Sequence, residues 1–254
     1  MEESDVNSIV CIKRVPDSET RVRIAADGKS IDRSGVKFDM NEYDKYAIEE
    51  AIRRREEAGQ GTVTVLTVGP DDAKETLRQA LAMGADEAVL LRADTSLDGL
   101  PVAIALADEI RGREFDLLLF GKQAIDDDGM QVPAMVAELL GLPAATVVVS
   151  LEIDGRRAKA RREVEGGHEV LEFDLPGVVA AQKGLNEPRY PSLKGIMAAK
   201  KKPLEEKDVS LAEGGLELIE LSGPPERPEP QILGEGTEPV AELVRRLREE
   251  VKVL

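Results

Sequence analysis

The chain has 254 residues, 42% of them apolar and 33% charged, which is enough for one large α/β domain with an appendage and too apolar for wholesale disorder. Fifty acids against 34 bases leave a formal charge of −16, which repels phosphate backbones and anionic lipid and makes nucleic acid or a membrane surface a poor partner. One Cys and one His exclude a disulfide framework, a Cys-based zinc site and an iron–sulfur cluster held by this chain alone, and leave little for a Ser-His-Asp triad.

Aromatic residues make up only 3% and Trp is absent, so the core has to be built from Val, Leu, Ile and Ala. No apolar run approaches the ~20 residues of a bilayer span, so no membrane insertion is expected. The acidic start Met1-Glu2-Glu3-Ser4-Asp5 shows no signal or transit pattern. These features together predict a cytoplasmic protein.

In chain order, residues 9–12 begin a β-branched strand, and residues 21–24 followed by Asp27-Gly28 read as an exposed strand and a turn. Asn41 is placed as the N-cap of a helix, with Asp44 three residues on, Tyr43, Ala47, Ile48, Ala51 and Ile52 on one face and Gly59 as the stop. Residues 62–68 suit a strand buried on both faces. Asp71 or Asp72 opens the next helix, with Ala73, Leu77, Ala80 and Leu81 inward and Gly84 closing it.

The alternation continues with a strand at 88–91, a helix at 101–111, a strand at 115–120, a helix at 132–140 ending at Gly141, and a strand at 145–149. This spacing implies parallel pairing with right-handed crossovers. After Leu151 the turns Asp154-Gly155 and Gly166-Gly167 predict antiparallel hairpins, and residues 178–181 suit a return to the main sheet. Residues 191–202 read as a basic helix. Residues 203–239 are rich in Pro, Glu and Gly and predict an extended arm, ending in a short helix with Val240, Leu243, Val244, Leu247 and Val251 at helical spacing. The division is therefore an α/β domain over 1–202 and an arm and helix over 203–254, whose apolar stripe needs a surface to lie on, that of another chain being one reading.

Two stretches carry functional information. Gly121-Lys122-Gln123-Ala124-Ile125-Asp126-Asp127-Asp128 follows an apolar strand and precedes a helix, the place where open α/β sheets bind ligands. Gly121 permits close backbone approach, and successive loop N–H groups can hold a phosphate without a basic cluster. A capped helix entrance with a solvated acidic loop reads equally well. Asn41 can read an adenine or ribose edge, or simply cap its helix. Val68-Gly69-Pro70 can offer backbone to a base, or be an ordinary turn. Cys11 reads as inert packing.

Asp126, Asp127 and Asp128 do not make a metal site, because adjacent side chains point apart, and a helix N-terminus favours acids anyway. His168 reads as a surface hairpin residue. In the second stretch, Leu185-Asn186-Glu187-Pro188-Arg189-Tyr190-Pro191-Ser192-Leu193, two prolines stiffen the backbone, and Arg189, Tyr190 and Leu193 are good anchor types for a protein partner. Packing of Leu193 on the next helix is the other reading. Lys200-Lys201-Lys202 can steer an acidic partner or be solvated.

At these stretches the sequence resembles the β subunit of electron transfer flavoproteins over nearly its whole length. The likeness is carried by Lys13-Arg14-Val15 with Met40-Asn41 and Ala47-Ile48-Glu49-Glu50-Ala51, and by Ala80-Leu81-Ala82-Met83-Gly84-Ala85-Asp86. It continues through residues 121–128, then Arg162-Glu163-Val164-Glu165-Gly166-Gly167-His168-Glu169-Val170-Leu171 leading to Pro176-Gly177-Val178-Val179-Ala180, and residues 185–193. Their joint order and spacing make the match specific.

The resemblance implies a mostly parallel, doubly wound sheet of the adenine-nucleotide α-hydrolase type, with antiparallel hairpins and a C-terminal arm. It implies a heterodimer with an α subunit that carries most of the site for a redox-active FAD. It implies a buried, structural AMP held by Cys11, Asn41, Val68 and the loop Gly121, Lys122, Gln123, Ala124, Ile125, Asp126, Asp127, Asp128, Gly129, Met130, Gln131 and Val132. Arg189, Tyr190 and Leu193 correspond to a recognition loop for dehydrogenases. Electrons then pass from acyl-CoA and related dehydrogenases through the flavin to a quinone reductase, so the chain is a carrier subunit without turnover of its own.

Ser18 stands where some relatives have an aromatic residue against the flavin, and Val132 where ordinary members often have Thr. The second departure leans towards the bifurcating branch, whose β subunit binds a second FAD in place of AMP, but Ile125-Asp126-Asp127-Asp128 follows the ordinary branch, so AMP is favoured. A stand-alone adenine-nucleotide-binding regulatory module is the remaining alternative.

Overall fold

A computed structural model of the chain describes residues 6–94, 98–227 and 229–254. The acidic start discussed above lies outside the described residues. The main body is a nine-stranded sheet in the order β11-β5-β4-β1-β6-β10-β7-β8-β9. Its members are β1 (Ser8–Cys11), β4 (Val63–Gly69), β5 (Glu87–Arg92), β6 (Leu117–Gly121), β7 (Ala144–Asp154), β8 (Arg157–Val164), β9 (Gly167–Asp174), β10 (Gly177–Ala181) and β11 (Leu204–Asp208). Between β1 and α1 (Glu42–Ala58), the short strands β2 (Arg14–Pro16) and β3 (Phe38–Met40) pair antiparallel outside the sheet.

The first seven strands in that order are all parallel to their neighbours, and β7, β8 and β9 form an antiparallel meander. The crossovers are α1, α2 (Lys74–Met83, entered through a 3₁₀ turn at Asp71–Ala73), α3 (Gly99–Ile110) and α4 (Val132–Leu140). Both sheet faces are covered, and the strand sequences show why. Val10 of β1 with Leu117 and Leu119 of β6 belong to one core, packed with α1 and α2. Ile9 and Cys11 with Leu118 and Phe120 belong to the other, packed with α3 and α4. A period-two strand buried on both sides has no polar face, which is why these runs are unbroken. Each fully buried Leu or Ile contributes about 1.5–3 kcal/mol.

The helix signals hold well. Gly59 and Gly141 end α1 and α4 in the left-handed conformation, at φ +77° and +69°. The helix expected at 101–111 starts two residues earlier, because Asp98 caps it by accepting from the Leu100 amide at 3.0 Å.

Three expectations change. Residues 21–24 form only a single bridge, Ile24 to Ile31, around a turn fixed by the Asp27 carboxylate, since no sheet edge adjoins them. The basic helix is confined to α5 (Leu193–Ala199), because Ser192 caps it by accepting from the Gly195 amide at 3.0 Å. The arm expected from residue 203 begins instead as β11, parallel to β5 and tied to it by Arg92 to Asp208 and by Arg92 to Glu206. The chain leaves the sheet only after Asp208 and ends in α6 (Val240–Arg246) and one π-helical turn. Val240, Leu243, Val244 and Val251 on this end are exposed.

Candidate functional site

The sheet winds outward from β1 in two directions, towards β4 on one side and β6 on the other, so the crevice beyond the carboxyl ends of β1 and β6 is its switch point. A cleft of about 1520 Å³ opens there. Its walls include Cys11 from β1, Val68 and Gly69 from β4, Phe120 and Gly121 from β6, and the loop between β6 and α4. Burial pushes the Cys11 thiol well above its usual value, with the Asp44 charge adding to it, so it stays a neutral packing group.

Asn41 occupies the N-cap position of α1, but its side chain makes no cap bond. Its Nδ2 donates to the Gln123 carbonyl at 2.8 Å and to Asp44 Oδ1 at 2.9 Å, and its Oδ1 accepts from the Ile125 amide at 3.1 Å. The fully buried amide therefore shapes the loop rather than the helix end. Asp44 takes the Lys13 amide at 2.7 Å and the Gly121 amide at 3.1 Å. Burial raises its carboxyl to about 7, against the pull of those N–H groups and of Lys13.

Gly121 is required, but by the protein itself: a Cβ there would overlap the Asp44 carboxylate, lie 2.7 Å from the Tyr43 Cβ and lie 2.8 Å from the Asp44 amide. The close approach is thus the first turn of α1 against the end of β6.

The acidic triplet is divided among different partners. Lys13 Nζ bonds Asp126 at 2.8 Å and Asp127 at 3.0 Å, and Asp128, at φ +54°, accepts from Gln123 Nε2 at 2.7 Å. The Gly129 amide donates to Asp127 and the Ala124 amide to the Gly129 carbonyl, which closes the loop on itself. Among the described residues no group of three or more potential ligands is placed to hold a metal ion.

Gln123, Ala124, Ile125, Asp126, Asp127, Gly129, Gln131 and Val132 line the cleft, as does Ser18. Lys122, Asp128 and Met130 do not: the Lys122 ammonium sits over the Tyr43 ring at 5.0 Å, and Met130 is half-exposed outside the wall. Gln131 at the α4 N-cap makes no side-chain cap bond and Pro133 has no amide, which leaves the Val132 and Ala134 amides at that helix end for an anion. Within the loop the Lys122, Ala124, Ile125 and Gly129 amides are already taken by protein acceptors, and Lys13 offsets the two acids beside it.

Residues 185–193 are anchored on α1. Asn186 donates to the Tyr46 carbonyl and to Glu50, and Arg189 forms a fork on Glu49 at 2.8 and 3.0 Å and on Glu56 at 2.7 and 3.0 Å. These acids hold the guanidinium firmly in its charged form. Arg189 therefore braces the loop, while Tyr190, 94% exposed, and Leu193, 84% exposed, stand out from it with Met197. Lys202 donates to the Leu81 and Ala85 carbonyls at the end of α2, and burial lowers its pKa. Lys200 and Lys201 are exposed. His168 is exposed on β9.

Asp44 is the residue that sequence reasoning missed as part of the site. An acid at the third position of a helix signals capping or dipole stabilisation, and nothing local says that β6 ends against it. The pairing of Lys13 with Asp126 and Asp127, more than 110 positions apart, was equally hidden.

Among protein-family models, residues 29–212 match the electron transfer flavoprotein domain. The chain is similar to the electron transfer flavoprotein subunit beta of Bacillus subtilis (strain 168), at 46% identity over 260 aligned positions covering 98% of this chain and 100% of that one. It is similar to the subunit of the same name from Syntrophomonas wolfei at 43%, covering 85% of each chain, and to that of Sus scrofa at 37%, covering 97% and 98%.

Proposed function

The chain belongs to the electron transfer flavoproteins as a β subunit, and from that premise we propose that its switch-point cleft holds a structural AMP while the chain completes, with an α subunit, the housing of a redox-active FAD. The observation that carries this reading is the loop from Gly121 to Val132, tied by Asn41 and Asp44 to the first turn of α1 beside the β1 and β6 ends.

In this reading the α4 entrance takes the phosphate, Lys13 balances the acids next to it, and Asn41 keeps the loop in register. The bound FAD supplies the reversible electron storage. The chain's own work is to hold shape, exclude water and present a docking surface. Tyr190 and Leu193, displayed on a loop braced by Arg189, suit brief contact with acyl-CoA and related dehydrogenases, whose electrons leave through the flavin to a quinone reductase. Among the described residues no helix is long and apolar enough to cross a membrane, and we place this work in the cytoplasm. The carrier reading needs no nucleophile or general base, so the chain acts without substrate turnover of its own.

A second reading has support of its own. The cleft, at about 1520 Å³, exceeds the roughly 300–1,000 Å³ of common ligand pockets, and Val132 brings no hydroxyl to it. A second FAD, as in bifurcating members, has room in such a volume. Extraction of small molecules from the co-purified heterodimer decides. One flavin and one AMP are expected. Two flavins select the second reading, and a stable monomer carrying nucleotide and no flavin selects a stand-alone regulatory module.

A further inference from the structure

One buried carboxylate joins three parts of the cleft. Asp44 is the third residue of α1 and only 4% exposed. It accepts from the amide of Lys13, just past β1, from the amide of Gly121, the last residue of β6, and from Nδ2 of Asn41, a side chain that also donates to the Gln123 carbonyl and accepts at Oδ1 from the Ile125 amide. All three partners are N–H donors, so the ionised carboxylate satisfies them and a protonated one presents a hydroxyl where an acceptor is needed. The α1 N-terminus, with its partial positive charge, favours the ionised form as well.

We propose that Asp44 is a positioning residue of the nucleotide loop: its ionised carboxylate, seated between the Lys13 and Gly121 amides, holds residues 121–125 in the shape that grips the adenylate, and its protonation loosens that grip. The inference rests on the AMP reading above and deepens it.

The groups facing Asp44 are few. From β1 comes the neutral Cys11, and from the turn after it Lys13, whose ammonium is already engaged by Asp126 and Asp127. From the β6 end comes Lys122, turned onto the ring of Tyr43. Desolvation dominates, and the carboxyl titrates near 7. Binding selects the ionised fraction, and the apparent Kd is the intrinsic value divided by that fraction, so affinity for AMP falls about tenfold between about pH 8 and about pH 6.

The test uses the heterodimer stripped of nucleotide, with labelled AMP bound to the wild type and to Asp44→Asn from about pH 5.5 to about pH 8.5, a range that spans the titration of the nucleotide's own phosphate near 6. That phosphate titrates alike in both proteins and cancels in the ratio of their Kd values. The expected result is a ratio, variant over wild type, that falls about tenfold from about pH 8 to about pH 6. A ratio that does not change with pH overturns the proposal. Should Asp44→Asn fail to assemble, the wild-type profile decides: an inflection close to 7 supports the proposal, and a single inflection close to 6, from the phosphate alone, overturns it. Wild-type protein that takes up no AMP at any pH overturns the adenylate reading and this inference with it.

Discussion

A methyl group at position 121 meets the Asp44 amide and the Tyr43 Cβ at 2.7–2.8 Å, and both belong to a helix end that cannot retreat without pulling on the sheet. Gly121→Ala is therefore expected to cost about 2–3 kcal/mol, as overpacking does, and to lower the AMP content of the purified protein. Urea unfolding read beside nucleotide extraction checks both effects. The constraint is space, since the backbone there is not left-handed.

Asp44 adds a pH dependence of known sign. Its folded pKa of about 7 lies above the ordinary 3.8, so the folded state binds the extra proton between those values. Its contribution to stability is full below the lower value, is lost as pH rises through about 7, and is flat beyond. The difference in unfolding midpoint between wild type and Asp44→Asn, followed across that window, should show this slope, and a flat difference counts against it. Sequence marks Gly121 as special but assigns its freedom to a ligand; only the packed helix identifies the neighbour that needs the room.

At the level of elements, two family-like stretches turn out to be one structure. Glu49 and Glu50 on α1 face Arg189 and Asn186, 140 and 136 positions away. The helix was legible from its apolar spacing and the later loop from its prolines, but nothing in the spacing of the two acids names the loop that covers them. Arg189→Ala leaves Glu49, 6% exposed, without its fork. The expected loss is about 2 kcal/mol, less than for a fully buried pair because Arg189 itself is a third exposed.

Leu193→Ala behaves in the opposite way. It is exposed, so stability should stay within about 0.5 kcal/mol, while electron transfer from a dehydrogenase slows and bound flavin and AMP remain. Thermal unfolding paired with dehydrogenase-driven flavin reduction separates the two variants. If Leu193→Ala unfolds the subunit, the side chain is packing and not docking.

For the whole molecule, the arm and the sheet part company after Asp208. A chain stopped there keeps β11 with its Arg92 and Lys207 ion pairs but loses the Val209 packing and the bonds of Gly215 and Leu216 to Asp98 and of Leu221 to Gly28, so it should fold with somewhat lower stability than the full chain while losing its hold on the α subunit. A chain stopped after Lys202 bares the β5 edge and should be less stable and prone to self-association. Size-exclusion mass and denaturant midpoints of the two truncations test this. On the AMP reading, bound nucleotide should add to the stability of the assembled protein by mass action, about 2.7 kcal/mol at a hundredfold excess over its Kd, seen as a midpoint that rises with added nucleotide.

The amino-acid sequence alone determined the alternation of strand and helix, the two-faced burial of the central strands, the hairpins at Gly155 and Gly166, and the family resemblance. All of these depend on neighbours within a few residues or on the order of short motifs. Only the tertiary structure decided that Asp44 serves β6, that Lys13 balances Asp126 and Asp127, that Arg189 is a brace, and that Leu204–Asp208 close the sheet. Each of these joins groups far apart in the chain, where periodicity carries no signal and close packing selects the partner.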